Sequence, residues 1–428
     1  MGGTVRVTVI GWDGRALTDQ AAGALATATL VVGGRRHLDA LGRHLPAGVR
    51  TVVLGGVAAG LAELTGHFAA GGGPAVVLAS GDPGFFGILR TLRRHGLDRD
   101  HGVDVELLPA TSSVAVAFAR AGLPWDDALV VSAHGRSLRR AVHVCRAHHT
   151  VAVLTGPGPA GGPSALGAAL VGLPRRMFVA EELGMPAERT GWCTPQQAAA
   201  RRDWREPNIV IVRDTDHPRP GEQDSDRAGW LFPHRTSPPG WALDEAAFTH
   251  RDSMISKAEV RAVALARLGP GPGDLVWDVG AGSGSVAVEC ARLGAAVVAV
   301  DHDPDACART RANARTHRVS VQVVPGSAPG VLTGLPAPDA VFVGGGGPEV
   351  VAACARHARR SVAVALAALD RVRPTWEALA AAGFDVSGTQ LAASRLRPLP
   401  DGALRLAATN PIVLVWGERT GEHDDGRS

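Results

Sequence analysis

From Val5 to Trp416, short β-branched runs alternate with alanine-rich stretches of helical length. That alternation predicts an α/β architecture with largely parallel sheets. In the first half strands are expected at 5–10, 30–33, 75–80, 103–108, 129–132, 151–155, 177–181 and 208–213. In the second half they are expected at 275–279, 296–301, 320–324, 340–344, 361–365 and 411–416. At roughly 100–200 residues per domain, the 428-residue chain suggests two domains. Residues 214–239 interrupt the pattern: they are polar, proline-containing and poor in aliphatics, and read as a linker. The expected domains are therefore 1–213 and 240–428, with 214–239 between them.

Bulk charge narrows the function only by exclusion. A formal net charge of +3 gives no electrostatic footprint for nucleic acid. The five cysteines, Cys145, Cys193, Cys290, Cys307 and Cys354, include no Cys-x-x-Cys pair, so free thiols are expected and neither a disulfide framework nor a metal site is. No apolar run nears the ~18 residues that cross a bilayer, and residues 1–11 lack the apolar core of a signal peptide. A soluble cytoplasmic protein without membrane partner is expected.

The sharpest local signal is the run Val276-Trp277-Asp278-Val279-Gly280-Ala281-Gly282-Ser283-Gly284, a strand passing through glycines into a helix at 285–293. Glycines allow a sharp turn and close ligand approach, and a helix N-terminus offers unpaired N–H groups. The next strand ends in Asp301, 21 residues after Gly280, placed to accept from ribose hydroxyls. A nicotinamide fingerprint would carry its third glycine at position 285, where this chain has Ser285 and the glycine stands one residue early. Gly-x-Gly-x-Gly preceded by Asp278 resembles the class I methyltransferase loop, which implies S-adenosylmethionine rather than NAD. Gly344–Gly347 would strip side chains from the end of the fourth strand where a ligand belongs.

Together with Phe248-Thr249-His250-Arg251, Ser256-Lys257-Ala258-Glu259, Gly326-Ser327-Ala328-Pro329 and Asn410-Pro411, this region resembles the decarboxylating methyltransferase domain of cobalamin biosynthesis. The resemblance implies a Rossmann-like fold and methylation of carbon 15 of a precorrin, with loss of carbon dioxide from a ring acetate. It implies cofactor contacts from Ser256, Gly280, Ala281, Gly282, Ser283, Gly284, Asp301, Ser327, Ala328 and Gly344. The local reading of Ser256 is a cap on the following helix, with Glu259 completing a capping box.

In the first half, the apolar strand at 75–80 runs into Gly81-Asp82-Pro83-Gly84-Phe85-Phe86-Gly87, and Thr111-Ser112-Ser113 precedes a helix that Ser112 or Ser113 would cap. With Val31-Val32-Gly33-Gly34-Arg35-Arg36-His37-Leu38, Ser132-Ala133-His134-Gly135-Arg136 and Glu181-Glu182-Leu183-Gly184, these strings resemble the tetrapyrrole (corrin/porphyrin) methylase family, in particular the branch acting on carbon 5. The resemblance implies cofactor contacts from Gly81, Asp82, Ser112 and Ser113, and self-association.

A polycarboxylate tetrapyrrole calls for arginine clamps. Arg35, Arg36, Arg136, Arg395 and Arg397 are the candidates for substrate binding, and Asp82, His134 and Asp370 for catalysis. Such ring carbons are already nucleophilic, so alignment matters more than a strong base. Two departures from the families bear on this. Gly11-Trp12-Asp13-Gly14 is shorter than the usual first glycine loop, and 365–370 lacks the polar side chains relatives carry there. A chain in which only the second half is active, an NAD-dependent oxidoreductase, and a non-catalytic cofactor sensor remain alternatives at this point.

Overall fold

The computed structural model describes residues 5–54, 57–216, 240–251 and 255–419. The expected linker from residue 217 onward lies outside the described residues, as does the charged end from residue 420. The chain forms two compact units. One comprises Met1–Trp125, Ala152–Ser164 and Met177–Ile211; the other comprises Asp126–Val151, Ala165–Arg176 and Val212–Ser428.

The first sheet contains β1 (Val5–Trp12), β2 (Leu30–Gly33), β3 (Arg50–Val53), β4 (Ala75–Ser80) and β5 (Val103–Leu108). Their order is β3-β2-β4-β1-β5, and every neighbouring pair is parallel. Val7, Val9, Val32 and Val77 pack on one face with Leu61 and Leu64, while Ile10, Val31, Val76 and Leu78 pack on the other with Leu25 and Leu38. Burial on both faces is why β2 and β4 read as unbroken apolar runs. The second sheet contains β6 (Leu129–Ser132), β7 (Thr150–Leu154), β8 (Arg175–Glu181), β9 (Arg189–Cys193) and β10 (Asn208–Asp214), in the order β6-β7-β10-β8-β9. The edge strand β9 runs antiparallel to β8.

The third sheet belongs to the second unit. Its strands are β11 (Leu275–Val279), β12 (Ala296–Asp301), β13 (Gln322–Pro325), β14 (Ala340–Val343), β15 (Ser361–Leu366), β16 (Asp385–Leu391) and β19 (Ile412–Glu418). A separate antiparallel hairpin pairs β17 (Ser394–Pro398) with β18 (Leu404–Ala408). The sheet order is β13-β12-β11-β14-β15-β19-β16. The first five strands are parallel, and β19 is antiparallel to both β15 and β16. Chain order reverses between β11 and β14, so a crevice opens at their carboxyl ends. Fully buried Trp277 anchors the sheet, its indole N–H donating to the Pro336 carbonyl at 3.1 Å. No helix among the described residues is long and apolar enough to cross a membrane, and no disulfide joins the five cysteines.

One charge is buried deep in the second unit. Arg175 pairs with Asp214 at 2.7 Å, with both side chains nearly inaccessible to solvent. Its remaining donors reach the carbonyls of Cys145 at 2.8 Å and Arg146 at 2.6 Å. Removing one partner strands the other charge in low dielectric, whereas removing both does not. We expect Arg175→Ala to lower stability by about 3–5 kcal/mol in urea denaturation, and the double change Arg175→Met with Asp214→Leu to recover most of that loss. A single variant as stable as wild type would contradict this account.

Candidate cofactor and active sites

The run 280–284 turns between β11 and the helix Ser285–Arg292 through three residues of positive φ: Gly280 at 75°, Gly282 at 58° and Gly284 at 71°. The three glycines do different work. A Cβ on Gly280 would lie 2.8 Å from the Gly345 amide nitrogen, and one on Gly284 would strike the Thr310 side chain at 2.5 Å. A Cβ on Gly282 would meet nothing within 4 Å, so the loop presents bare backbone to open space there. The Gly282 amide donates to Asp301 Oδ2 at 2.8 Å, and the Asp303 amide donates to Oδ1 at 3.0 Å. Asp301 therefore holds the loop with one oxygen while standing at the tip of β12. Asn313 braces the same turn by donating to the Ser283 carbonyl at 2.7 Å. Neither Thr310 nor Asn313 was singled out from the sequence; a small and an amide residue three apart on a helix carry no motif of their own.

Asp278 lies behind the loop, about 1% exposed, and accepts from the Ala287 amide at 2.9 Å. Burial pushes its carboxyl up to about 7, the Ala287 N–H opposing and the nearby Asp301 charge reinforcing the shift. Across the crevice the carboxyl end of β14 is equally bare. Gly344 and Gly345 are exposed, and a Cβ on Gly344 would meet the Gly280 carbonyl at 3.0 Å. Gly344 and Gly345 thus serve backbone packing against Gly280 as well as the open edge. Ser327 is exposed and Ala328 half-buried after β13.

Other expected residues sit differently. Ser256 does not cap the following helix: Lys257 occupies the N-cap of Ala258–Leu268 with no side-chain cap bond, because the helix begins one residue later than the capping-box spacing requires. The Ser256 carbonyl instead accepts from buried Arg261. Arg395, expected at the substrate, has its guanidinium committed. It donates to Glu245 at 2.6 and 2.9 Å and to Glu259 at 2.9 and 2.7 Å. That holds Glu245 down to about 2, the Arg395 hydrogen bonds being the main cause. The guanidinium ties the β17 hairpin to the segment before the glycine loop and has little left for a ligand. Arg397 on the same hairpin is exposed, as is Asp370 beyond the carboxyl end of β15.

In the first unit the carboxyl ends of β1, β4 and β5 meet without side chains between them. The Gly81 amide donates to the Trp12 carbonyl at 2.9 Å, and its own carbonyl accepts from Ala110 at 3.2 Å. A Cβ on Gly11 would lie 1.9 Å from the Gly81 oxygen. The short loop after β1 packs tightly too: Cβ atoms on Gly14 and Gly184 would fall 1.9 and 2.0 Å from the Gly184 and Asp13 carbonyl oxygens respectively. Half-buried Asp82 closes its own turn, Oδ1 accepting from the Gly84 amide at 2.8 Å. Ser112 caps the helix Ser113–Ala121 through the Ala115 amide at 3.2 Å, as expected from the sequence. Arg35 is exposed, whereas Arg36 is half-buried and donates to the Ser80 hydroxyl. In the second unit His134 and Arg136 are both exposed in the turn after β6. Among the described residues no group of three or more His, Cys, Asp or Glu is placed to hold a metal ion.

Comparison with known proteins now bears on these sites. Residues 10–199 match the model of the tetrapyrrole (corrin/porphyrin) methylases, and residues 246–398 match that of the precorrin methyltransferase domain. The precorrin-6Y C(5,15)-methyltransferase [decarboxylating] of Sinorhizobium sp is 38% identical over 352 residues, covering 79% of this chain and 78% of the relative. The enzyme of the same name from Mycobacterium tuberculosis is 36% identical over 288 residues, 65% of this chain and 66% of its own. A probable cobalt-precorrin-6B C(15)-methyltransferase (decarboxylating) from Pyrobaculum calidifontis is 40% identical over 170 residues, 38% of this chain and 87% of the relative.

Asp278 generates a pH prediction. Its folded value of about 7 lies above the ordinary 3.8, so the folded protein binds a proton that the unfolded chain releases in that interval. Stability is full below about pH 4 on this account and falls as pH rises toward 7, by at most about 1.4 kcal/mol per pH unit. Asp278→Asn keeps an acceptor for the Ala287 amide and removes the titration. In denaturation from pH 4.5 to 7.5, on the order of the window set by these values, the wild type is expected to lose stability relative to the variant. Parallel curves would mean that the carboxyl titrates normally.

Proposed function

The chain belongs to the precorrin-6Y C(5,15)-methyltransferase (decarboxylating) family, and from that premise we propose how its halves divide the reaction. It is a methyltransferase of cobalamin biosynthesis that methylates precorrin-6Y at carbons 5 and 15 and removes the carboxyl of the carbon-12 acetate, giving precorrin-8. Residues 1–213 carry the carbon-5 methylation, and residues 240–428 carry the carbon-15 methylation and decarboxylation. The observation that carries the reading is the glycine-lined crevice at the β11–β14 reversal, with Asp301 at its rim.

The crevice fits S-adenosylmethionine. Gly282 faces open space, Gly280 and Gly344 expose backbone without side chains, and Asp301 offers a carboxylate at the tip of β12. In the second unit Ser256, Gly280–Gly284, Asp301, Ser327, Ala328 and Gly344 would hold it, and in the first Gly81, Asp82, Ser112 and Ser113. Bound there, it supplies an electrophilic methyl group on a sulfonium. The chain's task is orientation: glycine backbones admit close approach, and Asp301 fixes the ribose end so that the acceptor carbon meets the methyl in line. Arg35, Arg36, Arg136 and Arg397 keep guanidinium donors available for the substrate's carboxylates. Arg395 is left out of that set by its two glutamate partners.

Calorimetric titration of S-adenosylmethionine into the full chain is expected to give two sites, and Asp301→Ala to leave one. A single site in the wild type favours a first half that only captures substrate; unchanged binding in the variant refutes the ribose assignment. Mass spectrometry after incubation with precorrin-6Y should record two methyls gained and one carbon dioxide lost.

A further inference from the structure

Three polar side chains, Ser80, Arg36 and His37, converge at the carboxyl end of the first sheet, and two of them, Ser80 and His37, have no part in the cofactor or carboxylate contacts. Ser80 is the last residue of β4, the central strand, and is exposed. In register it lies beside Trp12 at the end of β1. On its other side, Arg36 and His37 follow β2 and begin the helix Arg35–Leu41. The Ser80 hydroxyl lies 3.2 Å from His37 Nε2 and accepts from the Arg36 guanidinium.

Each partner is in an unusual state. His37 is 6% exposed, packed edge-on against the Trp12 ring with centroids 6.0 Å apart, and its Nδ1 is buried with no hydrogen-bond partner. Among the described residues no carboxylate orients or compensates the ring. Burial, with the Arg36 charge adding to it, holds the imidazole down to about 4, so it stays neutral. Arg36 is half-buried and forms no ion pair among the described residues; the Glu182 carboxylate acts on it only through space. The hydroxyl therefore sits between a guanidinium that donates to its oxygen and a neutral imidazole nitrogen within hydrogen-bond distance. That is how an otherwise inert serine is activated, and the carboxyl ends of parallel strands are where ligands of such sheets bind.

We propose that Ser80, backed by His37 and Arg36, accepts the proton released when the carbon-5 methylation is completed. The inference rests on assigning that methylation to residues 1–213. The ring carbon forms a bond to the methyl group as the methyl–sulfur bond breaks, leaving sulfur with the electron pair. The methylated ring then carries a positive charge and still holds its original hydrogen. That hydrogen leaves as a proton to Ser80 Oγ while the serine proton passes to His37 Nε2, and the C–H electron pair restores the conjugation. A proton beside a conjugated cation is acidic, so a weak, neutral base suffices. His37 then hands its proton back to Ser80 Oγ as the exposed hydroxyl passes its own to water. Ser80 is the catalytic residue; His37 and Arg36 position and polarise it.

The test uses the full chain with S-adenosylmethionine and precorrin-6Y deuterated at carbon 5. Ser80→Ala and His37→Gln are expected to slow carbon-5 methylation and deuterium release by about 100-fold, the low end for a lost acid–base group. The dissociation constant for the precorrin, measured without cofactor, should stay within about twofold, as expected if the group acts only in the chemical step. Ser80→Thr, which keeps the hydroxyl, should retain most of the rate. Carbon-15 methylation and carbon dioxide release in the same tube report that the variants are folded. Wild-type deuterium release by both variants overturns the relay. A weakened precorrin dissociation constant with an unchanged maximal rate also overturns it, making the trio a carboxylate-binding pocket. A wild type that methylates only carbon 15 would instead refute the parent assignment of carbon 5, and the relay with it.

Discussion

Backbone packed directly on backbone at the carboxyl ends of parallel strands is the constraint on which both halves depend. Gly280 lies against Gly345, Gly344 against the Gly280 carbonyl, Gly11 against the Gly81 carbonyl, and Gly14 against Gly184. A single Cβ at Gly11 or Gly14 would fall within 2 Å of a carbonyl oxygen. These contacts bring neighbouring strand ends close enough for one short side chain to span them. Asp301 reaches the Gly282 amide across β11 and β12 because nothing stands between the strands. They also leave edges where a ligand meets amides and carbonyls rather than side chains.

Charge is distributed on a consistent principle. Arginines that hold the fold together have their donors used. Arg175 is saturated by Asp214 and three carbonyls, and Arg395 by two glutamates, each contacted twice. Arginines near the strand ends of the first unit do not. Arg36 has a hydroxyl and, among the described residues, no carboxylate within ion-pair distance, although it is half-buried. A partly desolvated guanidinium with spare donors is costly unless something else completes it. The two classes cannot be told apart by residue type.

Much of the fold was legible because its strands are buried on both faces. The runs at 75–80, 275–279 and 296–301 match β4, β11 and β12 residue for residue. The strands that escaped notice, β3, β9 and β16 to β18, lie at edges or in the hairpin with mostly exposed side chains. Without a buried face they carry no apolar run, and their backbone pairing leaves no mark on composition.

The glycine loop, the acid one strand later and the missing late glycine were determined by local sequence alone, because a tight turn into a helix is specified by adjacent residues. So was the cap by Ser112, a contact over three residues. Only the tertiary structure decided which groups meet across long separations. It committed Arg395 to Glu245 and Glu259, more than a hundred residues away, and brought His37 to Ser80 across 43 positions. It also buried Asp278 deeply enough to raise its carboxyl to about 7. Partner choice and desolvation are properties of packing, and one-dimensional order does not encode them separately from the fold.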